Sequence, residues 1–340
     1  MLKILNSLKN MQKSNLRFLV IGLGSMGKRR VRNLMANKQN DITGFDLLAE
    51  RCKEAEEKYK IRTISSIKDI ESQSFDAFII STPPNLHGEY IRLALKHNKH
   101  FFVEVSTSLD GYVEVFKSKN DKVHAPSCTF KFFKPIKKIK KILSLGKIGK
   151  ILAFQYHVGQ YLPDWHPWED YRKVYFSKKE SGACKEIFPF ELIWLNWLIG
   201  SEVNSACGFV EKISDLQMSA DDIIAASLKY KNGTIGNIMV DVISRKPFRT
   251  LRIMCSKGVL EWDWLSWKIE IYDTNSKKTK LINIRPERKL KEYKTTTEDM
   301  YESEVFAFLD AIKGKKMFPY SFVENSRNLQ TFFNIEKKKI

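Results

Sequence analysis

The spacing that points most directly to chemistry in this chain is that of the three glycines in Gly22-Leu23-Gly24-Ser25-Met26-Gly27. They follow a short apolar run and open a helical one. In such a turn the first glycine permits a tight bend, the second lets the backbone approach a diphosphate, and the third allows close packing of helix on strand. Unpaired amides at the start of the helix, together with its dipole, favour an anion there. Asp46 ends the next apolar run, 19 residues beyond Gly27. A carboxylate in that place accepts the ribose hydroxyls of an adenosine and repels a 2'-phosphate. Gly22, Gly24, Ser25, Met26, Gly27 and Asp46 are therefore expected to form a dinucleotide site that favours NAD over NADP. Arg51, one helical turn on, softens that preference.

A second constellation, Ser81-Thr82-Pro83-Pro84-Asn85-Leu86-His87, closes another apolar run. Its prolines halt a strand and Asn85 suits a helix N-cap. Ligands of open α/β sheets bind at this carboxyl edge, which makes Ser81, Thr82, Pro83 and His87 candidates for contact with the nicotinamide half. Read on its own, His87 fits a surface histidine in the first turn of a helix better than a ligand contact. The third constellation is the stretch from Gln160 to Arg172, with two tryptophans, two tyrosines, a histidine and several acids between prolines. No core periodicity explains it, and it suits a loop that stacks on a sugar or base while presenting polar groups.

The elements that must position these groups are legible in the apolar periodicity. Short runs at 17–21, 42–45, 75–81 and 100–103 alternate with helical patterns at 26–36, 49–59, 86–97 and 109–118, the signature of a doubly wound parallel sheet. After Lys150 longer β-branched and aromatic runs take over, at 151–160, 205–210, 223–230, 234–242, 250–255 and 268–272. Lys231-Asn232-Gly233 reads as a tight hairpin turn. Helical patterns at 187–198, 300–312 and 323–336 complete an α+β domain on an open, mostly antiparallel sheet. The expected organisation is a basic extension (1–16), a Rossmann domain (17–130), and a substrate and oligomerisation domain (131–340) whose last helix packs back near the first.

Composition narrows the function class. Hydrophobic residues make up 43% and charged residues 29% of 340 residues, enough for two domains with their own cores. The five cysteines are dispersed and never in a CxxC pair, so neither a disulfide framework nor a zinc site is expected, and a reducing, cytoplasmic setting is. No apolar run reaches membrane-spanning length, and no membrane partner is expected. A net charge of +19 raises the question of nucleic acid. The densest cluster (Lys131, Lys134, Lys137, Lys138, Lys140 and Lys141) alternates with isoleucines at helical spacing and reads as a solvated helix face. With no nucleic-acid-binding signature, no nucleic-acid partner is expected.

Taken together, GLGSMG, Asp46, STPPNLH and the run ending Phe102-Val103-Glu104 resemble the glucose-fructose oxidoreductase/inositol dehydrogenase (Gfo/Idh/MocA) family, over nearly the whole chain. The resemblance implies NAD(P)-dependent hydride transfer at a hydroxyl-bearing carbon of a sugar, cyclitol or nucleotide sugar. It also implies a homodimer or homotetramer built on the open sheet, and it adds Glu104 to the cofactor site. Two departures stand out. The family's Glu-Lys-Pro reads Glu104-Val105-Ser106, and its Asp and His four residues apart read Glu186 and Phe190. Relatives that share the aromatic loop and this replacement look like a subgroup tied to bacterial surface-sugar pathways.

Oxidising an alcohol requires a proton acceptor beside the hydroxyl while hydride leaves, and Val105 and Phe190 cannot serve. The candidates are His166, whose ordinary pKa lies near neutrality, a Tyr161–Lys185 pair, and Glu186 if burial raises its pKa. His166 packed against a tryptophan and Glu186 satisfying a helix dipole are the structural alternatives. Trp165, Trp168, Arg172 and Phe190 are expected on the substrate side, with Arg172 suited to an anionic group such as a sugar-nucleotide diphosphate. A cofactor-bound scaffold or sensor without turnover is the competing reading.

Overall fold

The computed structural model describes residues 16–165, 167, 169–285 and 297–337. His166 and Trp168 lie outside the described residues, as does the stretch 1–15.

The first sheet holds β1 (Phe18–Ile21), β2 (Ile42–Phe45), β3 (Arg62–Ile64), β4 (Ala77–Ile80), β5 (His100–Val103) and β6 (His124–Pro126). Strands β1, β2 and β4 are buried at every position, as expected of parallel strands covered on both faces. Their order is β3-β2-β1-β4-β5-β6, with every pairing parallel. The order reverses between β1 and β4, which opens a crevice at the carboxyl ends of those strands. The helices of this half are α1 (Ser25–Ala36), α2 (Ala49–Tyr59), α3 (Ile67–Ser72), α4 (His87–Lys96) and α5 (Tyr112–Lys117). Asn85 is not an N-cap. It lies inside a 3-10 turn, Pro84–Leu86, that leads into α4.

After α6 (Lys134–Ser144) come β7 (Ile151–Tyr161), α7 (Leu162–Trp165) and α8 (Cys184–Ile199). The strands that follow are β8 (Val203–Glu211), β9 (Ile223–Tyr230), β10 (Ile235–Asp241), β11 (Ile243–Cys255), β12 (Gly258–Asp263), β13 (Lys268–Asp273) and β14 (Lys278–Asn283). They form a second sheet in the order β14-β13-β12-β11-β7-β10-β9-β8, antiparallel except where β7 meets β10. Gly233, at φ +89°, makes the expected turn between β9 and β10. Helix α8 packs its Phe188, Leu192, Trp194 and Leu195 against Tyr156, Ile238 and Val240 of that sheet.

The last two helices, α9 (Asp299–Ile312) and α10 (Phe322–Lys337), are shared between the two sheets. Val305, Phe308 and Leu309 of α9 share a core with Phe18, Val20, Val31 and Leu34. Helix α10 contributes Phe322 and Leu329 to the other face of the first sheet, and Phe332 and Ile335 to the core under the second. The packing therefore returns part of the expected 131–340 domain to the first sheet.

This return explains the buried polar face of α1. Arg30 is fully buried; its guanidinium spans Glu104 at 2.6 and 3.0 Å and Glu304 of α9 at 2.8 Å. Arg29 Nε, Arg32 and Asn33 converge on Glu298 at 3.0–3.1 Å. The lysine cluster also departs from a purely solvated face. Lys131 precedes α6, is buried and donates to the Pro319 carbonyl, while Lys140 Nζ donates to the Trp197 carbonyl at 2.6 Å, at the C-terminal end of α8. Among the described residues no helix is long and apolar enough to cross a membrane.

Candidate active site

The glycine turn lies between β1 and α1 and is shaped by close backbone approach. Gly22 sits at φ +88°, where a Cβ would come within 2.8 Å of the Ser81 carbonyl oxygen. A Cβ on Gly27 would stand 1.7 Å from the Gly22 oxygen, so helix and strand can meet only through glycine. At Gly24 the nearest atom to such a Cβ is Arg51 Nη1, 3.8 Å away, and no side chain caps α1. The turn, with Ser25 and Met26 beginning the helix, thus offers open space in front of helix amides.

Asp46, at the end of β2, is tied into this turn. Its Oδ2 accepts from the Leu23 amide at 2.8 Å and its Oδ1 from the Leu48 amide at 2.9 Å, with Arg51 Nη1 3.5 Å from Oδ2. Those bonds hold the carboxylate at the edge of the crevice, where a ribose diol needs it. Across the crevice Ser81, Thr82 and Pro83 follow β4. Thr82 Oγ1 is buried without a hydrogen-bond partner among the described residues. An open glycine cradle, a fixed carboxylate and an unpartnered buried hydroxyl fit a dinucleotide.

His87 is not open to a ligand. It is buried, its Nε2 lies 2.9 Å from the Thr82 carbonyl oxygen, and its Nδ1 lies 3.1 Å from Ser106 Oγ. Burial holds its pKa down to about 4, so it is neutral at physiological pH. It braces the Thr82 loop from behind. Glu104 is likewise engaged, by Arg30, and its Oε1 stands 3.5 Å from Ser81 Oγ.

The second domain brings Glu186 toward Glu104 from the first turn of α8. Burial pushes the Glu186 carboxyl up to about 8; the hydrogen bond from Tyr175 opposes this and the negative charge of Glu104 adds to it. Tyr175 donates to Glu186 Oε1 at 3.3 Å, while Oε2 is buried with no partner among the described residues. Sequence reasoning missed Tyr175, which stands in a 3-10 turn, Tyr175–Ser177, with no motif around it. Only its packing against Phe176, with ring centroids 4.1 Å apart, and its reach to Glu186 single it out.

The other expected residues are dispersed. Lys185 Nζ pairs with Glu336 of α10 at 3.3 Å, and the Tyr161 ring lies beneath the Arg245 guanidinium at 3.8 Å. No hydrogen bond joins Tyr161 and Lys185 among the described residues, so the proposed pair does not form. Arg172 is bound two-pronged by Asp170 at 2.7 and 2.8 Å and also donates to Gln217, which leaves its fork occupied. Trp165 stacks on Phe176 at 4.7 Å. Phe190 packs edge-on against Phe130 at 4.8 Å, and Val105 packs against the cluster of Cys128, Ile193 and Tyr320. Val105 and Phe190 are therefore both taken up in apolar packing.

Known proteins agree with this architecture. Residues 16–122 match the model of an oxidoreductase family with an NAD-binding Rossmann fold, and residues 136–261 match the GFO/IDH/MocA C-terminal domain. An oxidoreductase from Agrobacterium radiobacter, solved with NAD+, L-tartaric acid and magnesium, superposes with a TM-score of 0.84 at 15% identity, covering 95% of this chain and 96% of that one. A levoglucosan dehydrogenase solved with NADH gives 0.82 at 17% identity with the same coverage. The WlbA dehydrogenase from Bordetella pertussis, solved with NADH and UDP-GlcNAcA, gives 0.77 at 17% identity over 95% and 96% of the two chains. No curated protein matches the chain significantly. With both family domains in order over more than half its length and the glycine turn and Asp46 in place, this chain belongs to the Gfo/Idh/MocA oxidoreductases and binds NAD through its first domain.

Proposed function

We propose that the protein is an NAD(H)-dependent dehydrogenase or reductase acting on a hydroxyl-bearing carbon of a sugar or nucleotide sugar, with Glu186 carrying the proton. The observation that carries this reading is the Glu186 carboxyl, half-buried beside Glu104, with one oxygen held by Tyr175 and the other unpartnered. When bound, a nicotinamide cofactor takes up or returns a hydride at C4 of its ring. In the oxidative direction Glu186 Oε2 accepts the hydroxyl proton as the carbinol carbon gives up hydride, leaving a carbonyl product and a protonated carboxyl. In reverse the same oxygen returns the proton. An acid/base with a pKa of about 8 suits both directions near neutral pH. Tyr175 fixes the carboxyl orientation through Oε1, and Trp165 on its Phe176 platform supports the aromatic side of the substrate site.

The substrate class is supported by the family and by two structural neighbours whose ligands are NADH with a sugar-derived molecule or a UDP-sugar acid. We further infer a homodimer or homotetramer through the open face of the second sheet. Phe209 and Met239 line a groove of about 840 Å³ on that face, and the exposed Ile235 lies on the same side of β10. A cofactor-bound scaffold without turnover is the second reading, favoured by the apolar packing of Val105 and Phe190.

Wild type and Glu186→Gln are to be compared with NAD+ or NADH against a panel of sugars, keto sugars and nucleotide sugars. Nicotinamide absorbance reads turnover and fluorescence reads NADH affinity. Turnover lost by about 10²–10⁴-fold with NADH binding retained is the expected result. Undiminished turnover in the variant overturns the role of Glu186. No turnover by the wild type on any substrate favours the scaffold.

A further inference from the structure

Strand β11 leaves its partner β7 for four residues near its start. Tyr161 pairs with Ile243 and Gly159 with Phe248, so Ser244, Arg245, Lys246 and Pro247 stand opposite Gln160 alone. Bulges of this kind re-aim side chains and gather beside functional sites. This one is fixed from below by Asp241, which is buried. Its Oδ1 accepts from the Ile243 amide at 3.1 Å and the Ser244 amide at 2.9 Å, and its Oδ2 accepts from His157 Nε2 at 2.7 Å. Phe248 closes the far end of the bulge, edge-on to the His157 ring at 4.5 Å.

At the apex Arg245 is exposed, and its guanidinium lies over the Tyr161 ring, 3.8 Å from the centroid. Stacking fixes the plane of the fork and leaves its N–H edges outward, the arrangement that meets two oxygens of a phosphate at once. Arg172, Arg249 and Arg252 are each closed on a carboxylate at 2.6–3.2 Å. Neither Arg245 nor the exposed Lys246 beside it has an acidic partner among the described residues. The two cations are thus presented together without a countercharge.

Their place in the chain gives them a direction. Helix α7 begins immediately after Tyr161 and rises by about 6 Å to Trp165. Trp165 stacks on Phe176, whose neighbour Tyr175 donates to Glu186. One short helix therefore joins the stacked arginine to the aromatic side of the substrate site.

We propose that the 244–247 bulge is an anion subsite for the diphosphate of a nucleotide-sugar substrate. Arg245 forks onto the phosphate oxygens and Lys246 adds charge, while Tyr161, Asp241 and His157 are positioning residues that hold the arginine in its plane. The inference rests on the substrate site proposed at Glu186 and selects within it: a free sugar carries no charge for this subsite, and a nucleotide sugar does.

The test is calorimetry on the full chain with NADH saturating, so that the cofactor crevice is already filled. The probes are pyrophosphate, the diphosphates UDP, GDP, CDP and TDP, UDP-N-acetylglucosamine, and free N-acetylglucosamine. Wild type is expected to bind pyrophosphate, at least one nucleoside diphosphate more tightly, and the free sugar far more weakly. Arg245→Gln is expected to weaken diphosphate binding about 10- to 100-fold, the worth of a charge-assisted pair of hydrogen bonds. Arg245→Lys recovers part of that loss, and NADH affinity and the melting temperature stay at their wild-type values in both. Glu186→Gln is expected to keep diphosphate binding, so a failure of the proton-transfer reading leaves this result standing. Equal diphosphate affinity in wild type and Arg245→Gln overturns the proposal, as does a wild type that binds none of the diphosphates. A change of oligomeric state in Arg245→Gln by sedimentation also overturns it, because the arginine then serves a contact between copies.

Discussion

Exchanging Glu186 for glutamine should make this protein more stable while removing its proposed acid/base, and the gain should depend on pH in a defined window. The carboxyl titrates at 4.5 when the chain is unfolded and at about 8 when folded. Below pH 4.5 both states hold the proton and the group has no effect on the folding equilibrium. As pH rises toward 8 the unfolded chain releases its proton first, and the fold loses stability by roughly 1.4 kcal/mol per pH unit. Over the whole window that amounts to about 5 kcal/mol, which the partial exposure of the residue reduces to about 3 kcal/mol. Glutamine keeps an oxygen for the Tyr175 hydroxyl and has nothing to ionise. Urea unfolding of wild type and variant at several pH values from about 5 to about 9 measures the difference directly. The two should approach each other at the acid end, separate steadily up to about pH 8, and keep a constant difference above it. A difference that stays constant across the series refutes the argument, because it means that the Glu186 carboxyl does not carry a raised pKa in the fold.

Two further outcomes test other parts of the architecture. Gly27→Ala pushes a methyl group to 1.7 Å from the Gly22 oxygen, and NADH affinity should fall by more than about 100-fold because the turn must open; fluorescence titration with circular dichroism as a check on folding reads this, and unchanged affinity contradicts the cradle. Arg30→Met leaves Glu104 and Glu304 without their shared cation in a buried site and should cost about 3–5 kcal/mol in denaturant unfolding, whereas a loss under about 1 kcal/mol means that the ion cluster does not hold α9 to α1.

The apolar periodicity alone was enough for the strands at β1, β2, β4 and β5, because a strand buried on both faces is written as a run of large apolar residues. Strands β3 and β6 were missed: each is only three residues long, one begins with an exposed arginine and the other ends in a proline. Strand β14 is mostly exposed at the edge of its sheet and carries no alternation to read. The cofactor turn was legible because its demands are local, a bend and a close approach that only glycine meets. So was Asp46, since strand and turn lengths fix how far along the chain the carboxylate must lie.

What the sequence determined by itself, then, was the class of fold and the dinucleotide turn. Only the tertiary structure decided which polar groups meet. It put Tyr175 on Glu186, turned Lys185 away to Glu336, closed Arg172 on Asp170, and enclosed His87 behind the Thr82 loop. It also brought Glu298 and Glu304 back across the chain to the arginines of α1. The physical reason is that a local motif is set by backbone geometry over a few residues. A pKa or an ion pair depends on what lies across a gap in space, and sequence spacing carries no record of that.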